Sequence, residues 1–373
     1  MHIQQLLGGK FDMITIEVDK EADRDWNKRL TGSTLATTAQ IKEMTFQITK
    51  NNEIPLFLKF IDSKGTIIGQ LLISETNKFQ KNTRGNSNLF NKLGKFSGAL
   101  RLANVKTKLY RWSYGPVIFN HEKCMDVYQV LKKFLLSDDS HQVLGWQHPF
   151  LTDGISVLKN DFSLIKWSTF IIDLTKSKKE LFANIDKDSG KKNIRRAEKR
   201  GIVVEEINED NLHEYFSLLN ESKKNKGGLS SDYDYFLQLW KLYRPFGRGG
   251  FLARKDSKPI SALSFSSFCG HIIEGGVARS ETDKSNVYYS QDLIKWKIIE
   301  WGLENNMKWY NLAGFNPNPA NSKDEGIFRF KKKWGGKEAS YYIFRKIRKR
   351  NSYKLYSLVF NLIQKYHSIR SKN

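Results

Sequence analysis

Lys191, Lys192, Arg195 and Arg196 lie in one helical stretch of the sequence, GKKNIRRAEKRG. Positions four apart share a helix face, so Lys191 with Arg195 and Lys192 with Arg196 form two adjacent basic ridges. Such ridges can hold phosphate groups or an RNA backbone. A solvated helix face without a ligand is the alternative. The stretch is therefore a candidate phosphate-binding surface.

The end of the chain carries a second basic pattern. From Arg345 to Asn373 there are nine Lys or Arg residues and no acidic residue. Apolar side chains recur there at helical spacing: Tyr356, Val359, Phe360, Ile363 and Tyr366. This pattern is typical of a basic amphipathic helix on an anionic membrane surface. We expect such a helix over 351–373, with packing of its apolar stripe against the second domain as the alternative.

The whole chain is basic, with 62 Lys and Arg against 39 Asp and Glu and a net charge of +23. This charge favours polyanionic partners such as RNA, nucleotide-linked substrates or anionic lipid, although a generally lysine-rich surface would give the same total. No Cys/His cluster has metal-site spacing, and no run reaches the roughly 18 apolar residues that span a bilayer. The N-terminus has no signal layout, and Cys124 and Cys269 suit reduced thiols. We expect a cytoplasmic, monomeric protein without a metal.

The elements that position these residues follow from the hydrophobic pattern of the 373-residue chain, which is long enough for two domains. The first half predicts strand, helix, hairpin, strand, helix and strand, and a similar order restarts at about Lys166. In the second half, YYSQDLIKWKIIEWGLENN predicts an amphipathic helix, and KWYNLAGF predicts a strand. We interpret the repetition as an internal duplication of one α/β unit.

Five segments of the second half resemble a known family. In chain order they are TFIIDLTKSKKELF, KKNIRRAEKRGIVVEE, FLARKDSKPISALSF, DLIKWKIIEWGLENNMKWYNLAGF and FRFKKKWGG. Their order and spacing are similar to Fem-type (FemABX) transferases, which use aminoacyl-tRNA to add bridge amino acids to peptidoglycan precursors, and to the acetyltransferase-like relatives of these enzymes. In the first half, DWNKRLTGSTLATTAQ and the YGPV strand are similar to the family's N-terminal domain.

The resemblance implies an α/β fold with mixed sheets, built from two tandem GNAT acetyltransferase-like domains. The first, 1–165, would bind the acceptor, the second, 166–350, would bind the acyl donor, and the basic helix 351–373 would follow. Some members carry a long coiled-coil arm, for which this sequence has no heptad pattern.

Lys331 is the catalytic candidate that the resemblance implies. The pair Phe330-Lys331 matches the family's Phe-Lys element, whose lysine is associated with the reacting carbonyl and the donor. An ammonium there would stabilise the developing oxyanion, or contact the phosphate of a tRNA terminus. The alternative is that Lys331 belongs to an exposed lysine set, Lys331 to Lys333.

Other matched positions imply acceptor contacts. Tyr235 matches a tyrosine that borders the acceptor site, with core packing as the alternative. The arginine that some relatives carry four residues earlier is Ser231 here, which removes a diphosphate clamp and disfavours a soluble UDP-linked acceptor. Asn311 stands where relatives often have Asp, and an amide cannot take a proton. In the first domain, the side chains expected near the acceptor cleft are Trp112, Tyr114, Trp146 and His148. For His148, a buried histidine held by hydrogen bonds is the alternative.

The segment before the long helix bears on the donor. Acetyl-CoA-dependent acetyltransferases place a glycine-rich loop there, whose backbone N–H groups bind pyrophosphate. The corresponding segment here, ARSETDKSNVYYSQ, has no glycine. This absence disfavours acetyl-CoA and makes aminoacyl-tRNA the more suitable co-substrate.

The expected function is transfer of an aminoacyl group from aminoacyl-tRNA to an amine of a peptidoglycan-type, lipid- or nucleotide-linked precursor, without a cofactor. The first alternative is an acyl-CoA-dependent N-acyltransferase acting on an amino sugar of a surface polysaccharide. The second is a non-catalytic protein that binds RNA or a membrane surface. The protein is expected in the cytoplasm, with attachment to the inner membrane face through the C-terminal helix.

Overall fold

The computed structural model describes residues 14–77, 108–137, 142–151, 153–224 and 232–347. These residues divide into two compact units. Unit 1 holds the described residues up to Lys166 together with 341–347, and unit 2 holds Trp167–Ser340. Residues 341–347, which the sequence assigned to the second domain, are in unit 1 because they pair with a strand of its sheet. The predicted helix 351–373 and Ser231 lie outside the described residues.

Unit 1 contains a mixed sheet with helices. Its elements in chain order are β1 (Thr15–Asp19), α1 (Trp26–Thr31), α2 (Met44–Lys50), β2 (Ile54–Ile61), β3 (Ile67–Asn77), β4 (Lys108–Trp112), β5 (Val117–Ile118), α3 (Cys124–Ser137), β6 (Gln142–Trp146) and α4 (Ile155–Leu158). The predicted hairpin joins β2 and β3, and Gly65 in its turn has a positive φ of 79°, which suits a residue without a side chain.

Unit 2 begins within β7 (Ser163–Asp173). There follow α5 (Lys178–Asn184), α6 (Lys192–Lys199), β8 (Ile202–Glu206), α7 (Leu212–Lys224), α8 (Tyr233–Tyr243), β9 (Arg248–Lys255), β10 (Lys258–Phe268), β11 (His271–Arg279), α9 (Glu281–Asn286), α10 (Ser290–Glu304), β12 (Trp309–Phe315), α11 (Ser322–Lys332) and β13 (Lys337–Ile347). Unit 2 ends within β13.

Five strands have the same spatial and chain order in the two units, and a sixth strand extends each sheet. In unit 1 the order is β1-β2-β3-β4-β6-β13, and among the described strands of this unit only β4 and β6 pair in parallel. In unit 2 the order is β8-β9-β10-β11-β12-β7, and β11 with β12 is the corresponding parallel pair. Along the chain, β1 to β6 and β8 to β12 each run as a strand, two helices, three strands, one or two helices and a strand, with the short β5 as an addition in unit 1. The sixth strand comes last in unit 1 (β13) and first in unit 2 (β7). The internal duplication is therefore visible in the topology.

Apolar side chains cover both faces of the unit 2 sheet. On one face, α10 packs its Leu293, Ile294 and Ile298 against strand residues such as Ile272 and Tyr310. On the other face, α7 and α8 pack Tyr215, Phe236 and Trp240 against Leu252 and Ala262. Within the described ranges, no helix combines the length and apolar character that a membrane span requires.

Helix α10 differs from its prediction. The sequence pattern suggested a helix with one polar, solvent-facing side, but Gln291, Asp292 and Lys295 are buried together with the apolar residues. The helix lies between the sheet and α6, so little of its surface faces water. Charged residues at these positions must therefore find partners inside the protein, because an unpaired buried charge is strongly unfavourable.

Gly145 in β6 provides a test of packing in unit 1. A Cβ atom there would lie 2.3 Å from the ring of Trp112 and 2.4 Å from the ring of Phe344. Because both rings are buried, we expect Gly145→Ala to lower the free energy of unfolding by about 1–3 kcal/mol. Gly326→Ala is the control, because its Cβ meets nothing within 4 Å. Equal thermal midpoints for the two variants would contradict the predicted packing at Gly145.

Candidate functional site

The parallel strands β11 and β12 separate in the middle of unit 2. Among the described residues, the two strands pair over His271–Ile273 and Trp309–Asn311, and their pairing ends there. On β11, Glu274 comes next, followed by a bulge in which Gly275 and Gly276 oppose Ser264 of β10. On β12, the pairing with β7 is interrupted between Asn311 and Gly314. We call the opening between Glu274 and the segment Ala313–Gly314 the strand fork.

The irregular end of β12 is held by polar contacts. Ala313 has a positive φ of 59°, which is unfavourable for a residue with a side chain. The buried Asn311 accepts hydrogen bonds at its Oδ1 from Thr169 Oγ1 (2.6 Å) and from the N–H of Ala313 (2.9 Å). Asn311 therefore stabilises the turn of the chain that exposes the carbonyl groups of Ala313 and Gly314 to the fork.

Lys331 lies against these carbonyl groups. It stands in the last turn of α11, and its Nζ donates to the carbonyl oxygens of Ala313 (2.9 Å) and Gly314 (3.0 Å). Burial lowers the pKa of Lys331 to about 8, with a further lowering from Lys295 and an opposing effect of Glu274. An ammonium has three N–H donors, and the third has no acceptor in the described part of the chain. This donor is available to a bound carbonyl, oxyanion or phosphate oxygen.

A buried ion pair lies beside Lys331. Lys295 of α10 contacts Oε1 of Glu274, and the two side chains are only 2% and 7% exposed. The hydroxyl of Tyr310 donates to the same oxygen at 2.7 Å. Burial and the charge of Glu274 raise the pKa of Tyr310 well above its ordinary value, so the phenol keeps its proton. One carboxylate oxygen of Glu274 is thus fully engaged.

A second buried ion pair joins α10 to the segment that follows α11. The ammonium of Lys333 contacts Oδ1 of Asp292, and the two side chains are 8% and 7% exposed. Burial lowers the pKa of Lys333 and raises that of Asp292. Lys332 alone among the three consecutive lysines is exposed. The alternative that Lys331 belongs to an exposed lysine set therefore does not hold.

Sequence reasoning missed Glu274, Lys295, Tyr310 and Asp292. A signal was present, because Lys295 and Asp292 interrupt the apolar run of α10 three residues apart, on one helix face. Glu274 likewise interrupts the apolar strand HIIEGGVAR. Charged residues within buried elements are uncommon unless they are paired, so such interruptions indicate a partner or a site.

The basic stretch is divided between two structures. Lys191 belongs to a π-helical turn, Lys187–Lys191, and its Nζ donates to the carbonyl oxygen of Ala183 (2.8 Å). Lys191 directly precedes α6, but its ammonium is bound at α5 and does not stand free in the predicted ridge with Arg195. Lys192, Arg195 and Arg196 are exposed on α6.

Two arginines of this region meet Tyr289, the residue that precedes α10. The guanidinium groups of Arg196 and Arg200 lie 5.5 and 5.4 Å from the centre of the Tyr289 ring. Arg196 also donates to the Tyr289 hydroxyl (3.2 Å), and Arg200 donates to the carbonyl of Asn286 (3.2 Å). The basic surface thus reaches the start of α10, and Arg200 is a member that the sequence analysis did not name.

The start of α10 is filled by side chains of the protein itself. The buried carboxylate of Asp283 accepts a hydrogen bond from the hydroxyl of Ser290 (2.5 Å), which is linked in turn to Ser261 (2.6 Å). Val287 and Tyr289 adopt positive φ values of 51° and 59° although neither is glycine. A carboxylate at this helix start occupies the place where an anionic group would otherwise be favoured.

The predicted acceptor residues of unit 1 lie in different surroundings. Trp112 is a core residue, since it is buried, packs on Phe344 at 5.2 Å between ring centres and donates to the carbonyl of Gly115 (3.3 Å). Tyr114 and the buried His148 are neighbours, with ring centres 5.9 Å apart. Nδ1 of His148 accepts from the N–H of Phe150 (3.2 Å). Burial raises the pKa of Tyr114 to about 12.

Tyr235 is not brought to the strand fork. It lies half-buried in the first turn of α8, where its N–H donates to the capping carboxylate of Asp232 (2.8 Å). Helix α8 covers the sheet face opposite to α10. Among the described residues, no cluster of three or more His, Cys, Asp or Glu side chains is arranged to hold a metal ion.

Comparisons with known proteins agree with this fold. The model of the FemAB family matches residues 139–246 and 277–359, just over half of the chain. The crystal structure of FemX matches with a TM-score of 0.65 and 13% identity, covering 91% of this chain and 99% of FemX. No curated protein sequence matches the chain.

Two further solved structures are similar. L-PGS from Bacillus licheniformis has a TM-score of 0.51 and 12% identity, covering 94% of this chain and 98% of that one. A tandem GNAT protein from the clavulanic acid biosynthesis pathway has a TM-score of 0.52 and 10% identity, covering 89% and 98%. The predicted fold, an α/β protein of two GNAT-like domains with mixed sheets, is confirmed.

Proposed function

The chain belongs to the FemAB family, and from this we propose that it transfers an aminoacyl group from aminoacyl-tRNA to an amine of a peptidoglycan-type cell-wall precursor. The observation that carries the proposal is the third N–H of Lys331. Two of its donors are fixed by the carbonyl groups of Ala313 and Gly314, so the third has a defined direction. A preorganised cation of this kind stabilises the negative charge that develops on an ester carbonyl under attack.

The choice of donor is supported by the start of α10. An acyl-CoA pyrophosphate bound at this helix would meet the buried carboxylate of Asp283 and a segment without glycine. The exposed cations of α6 suit the phosphates of an RNA terminus, because they form an extended surface and not a closed cradle. Lys192, Arg195 and Arg196 would hold the donor, together with Arg200.

The acceptor is proposed to be linked to a lipid and not to a soluble nucleotide. The sequence has Ser231 where the diphosphate-binding arginine of some relatives would stand, and serine cannot form a bidentate contact to phosphate. Tyr114 and His148 remain candidates for acceptor contacts in unit 1, because they are adjacent and polar. Attachment of the segment 351–373 to a membrane surface would bring the protein to a lipid-linked substrate.

A second candidate function is acyl transfer from acyl-CoA to an amino sugar. The similarity to a tandem GNAT protein supports it, since both chains carry two domains of this fold. An amine would again attack a carbonyl carbon, and Lys331 would contact a thioester carbonyl instead of an ester carbonyl. The two functions therefore differ in the donor.

A donor competition distinguishes these functions. The full-length protein is incubated with lipid-linked and nucleotide-linked precursors, with amino sugars, and with either labelled aminoacyl-tRNA or labelled acyl-CoA. We expect an amide-linked aminoacyl product on the lipid-linked precursor, abolished by ribonuclease and weakened by salt, because phosphate contacts release counterions. Transfer from acyl-CoA alone would support the second candidate. Binding of RNA without transfer from either donor would contradict both.

A further inference from the structure

Glu274 presents one engaged and one unengaged carboxylate oxygen at the strand fork. Its Oε1 accepts from both Lys295 and Tyr310. Its Oε2 accepts no hydrogen bond in the described part of the chain. The carboxylate is close enough to Lys331 to influence that ammonium electrostatically. A proton acceptor and an N–H donor thus share the opening between β11 and β12.

We propose that Glu274 is the base that removes the proton from the attacking amine, a role that rests on the transfer reaction proposed above. The neutral amine forms its C–N bond at the ester carbonyl carbon, while the carbonyl oxygen becomes an oxyanion beside Lys331. Oε2 of Glu274 takes the proton from the nitrogen. The C–O bond to the tRNA ribose then breaks, and Glu274 returns the proton to the departing oxygen. The products are an amide and a free hydroxyl, with no other reactant.

The neighbouring titratable groups are less suited to this role. Asp292 is engaged by Lys333, and Asn311 has an amide in place of a carboxylate. Tyr310 keeps its proton and donates a hydrogen bond to Glu274. Lys295 is occupied by the same carboxylate and is surrounded by the rings of Tyr310, Phe330 and Trp334 at 5.4–5.8 Å. These contacts fix Oε1 of Glu274 and leave Oε2 without a hydrogen-bond donor among the described residues, so Oε2 is available to act as a base.

Substitution of Glu274 by glutamine tests the role. An amide oxygen can still accept from Lys295 and Tyr310, but it cannot take up a proton. In the donor assay, we expect Glu274→Gln to lower kcat by about 10²-fold or more, with the KM for the acceptor nearly unchanged. Glu300→Gln is the matched control. Glu300 lies on α10, outside the fork, and its carboxylate also forms ion pairs with lysines, namely Lys178 and Lys297. It should retain wild-type kcat.

A double variant separates proton transfer from charge balance. Glu274→Gln alone leaves the ammonium of Lys295 buried without its carboxylate, which can destabilise the protein. Glu274→Gln combined with Lys295→Met removes this unpaired charge, so it keeps the test valid if the single variant does not fold. We expect the double variant to unfold near the wild-type temperature and still to show the loss of kcat. Recovery of kcat in the double variant would overturn the proposal.

The outcome also distinguishes this inference from the proposed function. One outcome is that wild-type protein transfers the aminoacyl group, Lys331 variants lose this activity, and the double variant Glu274→Gln with Lys295→Met keeps it. In that case Glu274 is not the base, and the transfer reaction stands. If wild-type protein transfers nothing from aminoacyl-tRNA or acyl-CoA, the proposed function fails, and the role of Glu274 fails with it.

Discussion

Replacement of Lys331 by methionine is expected to lower kcat by about 10²–10³-fold in the donor assay. Methionine has a similar length but no N–H group, so the developing oxyanion loses its donor. Binding of RNA through the exposed cations of α6 should persist, because those side chains are on a different helix. The measurement is single-turnover transfer together with RNA binding. A Lys331→Met variant with wild-type turnover would instead support a non-catalytic binding protein.

The pH dependence provides an independent test of the same side chain. Burial holds the pKa of Lys331 near 8, below the ordinary value for lysine, so its charge is present at lower pH and is lost as the pH rises through about 8. Arginine stays charged throughout this range. The ratio of kcat for Lys331→Arg to that of wild type should therefore rise above pH 8. Titration of the acceptor amine cancels in this ratio, and a constant ratio would show that the charge of Lys331 does not matter.

Much of the fold was predictable because it depends on hydrophobic periodicity. The hairpin of β2 and β3, the helix α10 and the strand β12 each follow from local patterns of apolar residues. The repeated order of elements then indicates two similar domains. The strand that pairs with the terminal strand β13 cannot be found in this way, because backbone hydrogen bonds carry no sequence information. This is why the pairing of 343–347 with β6 could not be predicted.

The candidate site was only partly predictable, for a related reason. Lys331 was identified through its Phe-Lys segment, but its partners come from β11, α10 and β12, which are distant in sequence. The pattern of α10 assigned Lys295 and Asp292 to a solvent-facing side. Periodicity reports where apolar residues repeat, and it cannot show that the remaining side of a helix is covered by another element. Lys295 and Asp292 are buried as ion pairs because other elements of the fold cover that side of α10.

Removal of Lys333 is expected to have the largest effect on stability. Lys333→Met leaves the carboxylate of Asp292 buried without its cation, and breaking a buried pair in this way typically costs about 3–5 kcal/mol. Lys332→Met is the matched control, because the neighbouring Lys332 is exposed, and its change should stay within about 0.5 kcal/mol. Denaturant unfolding of both variants at neutral pH measures the difference.

The pH dependence of the Lys333→Met defect identifies Asp292 as its cause. Burial raises the pKa of Asp292, and the cation of Lys333 opposes this rise. Without the cation the pKa rises further, so the folded state binds a proton that the unfolded state releases. Such a group contributes stability at low pH and loses it as the pH rises through the folded pKa. The defect should therefore shrink between neutral pH and about pH 5, and Asp292→Leu combined with Lys333→Met should remove this pH dependence. A defect of constant size over the same range would mean that lost packing of the lysine stem, and not an isolated buried carboxylate, destabilises the variant.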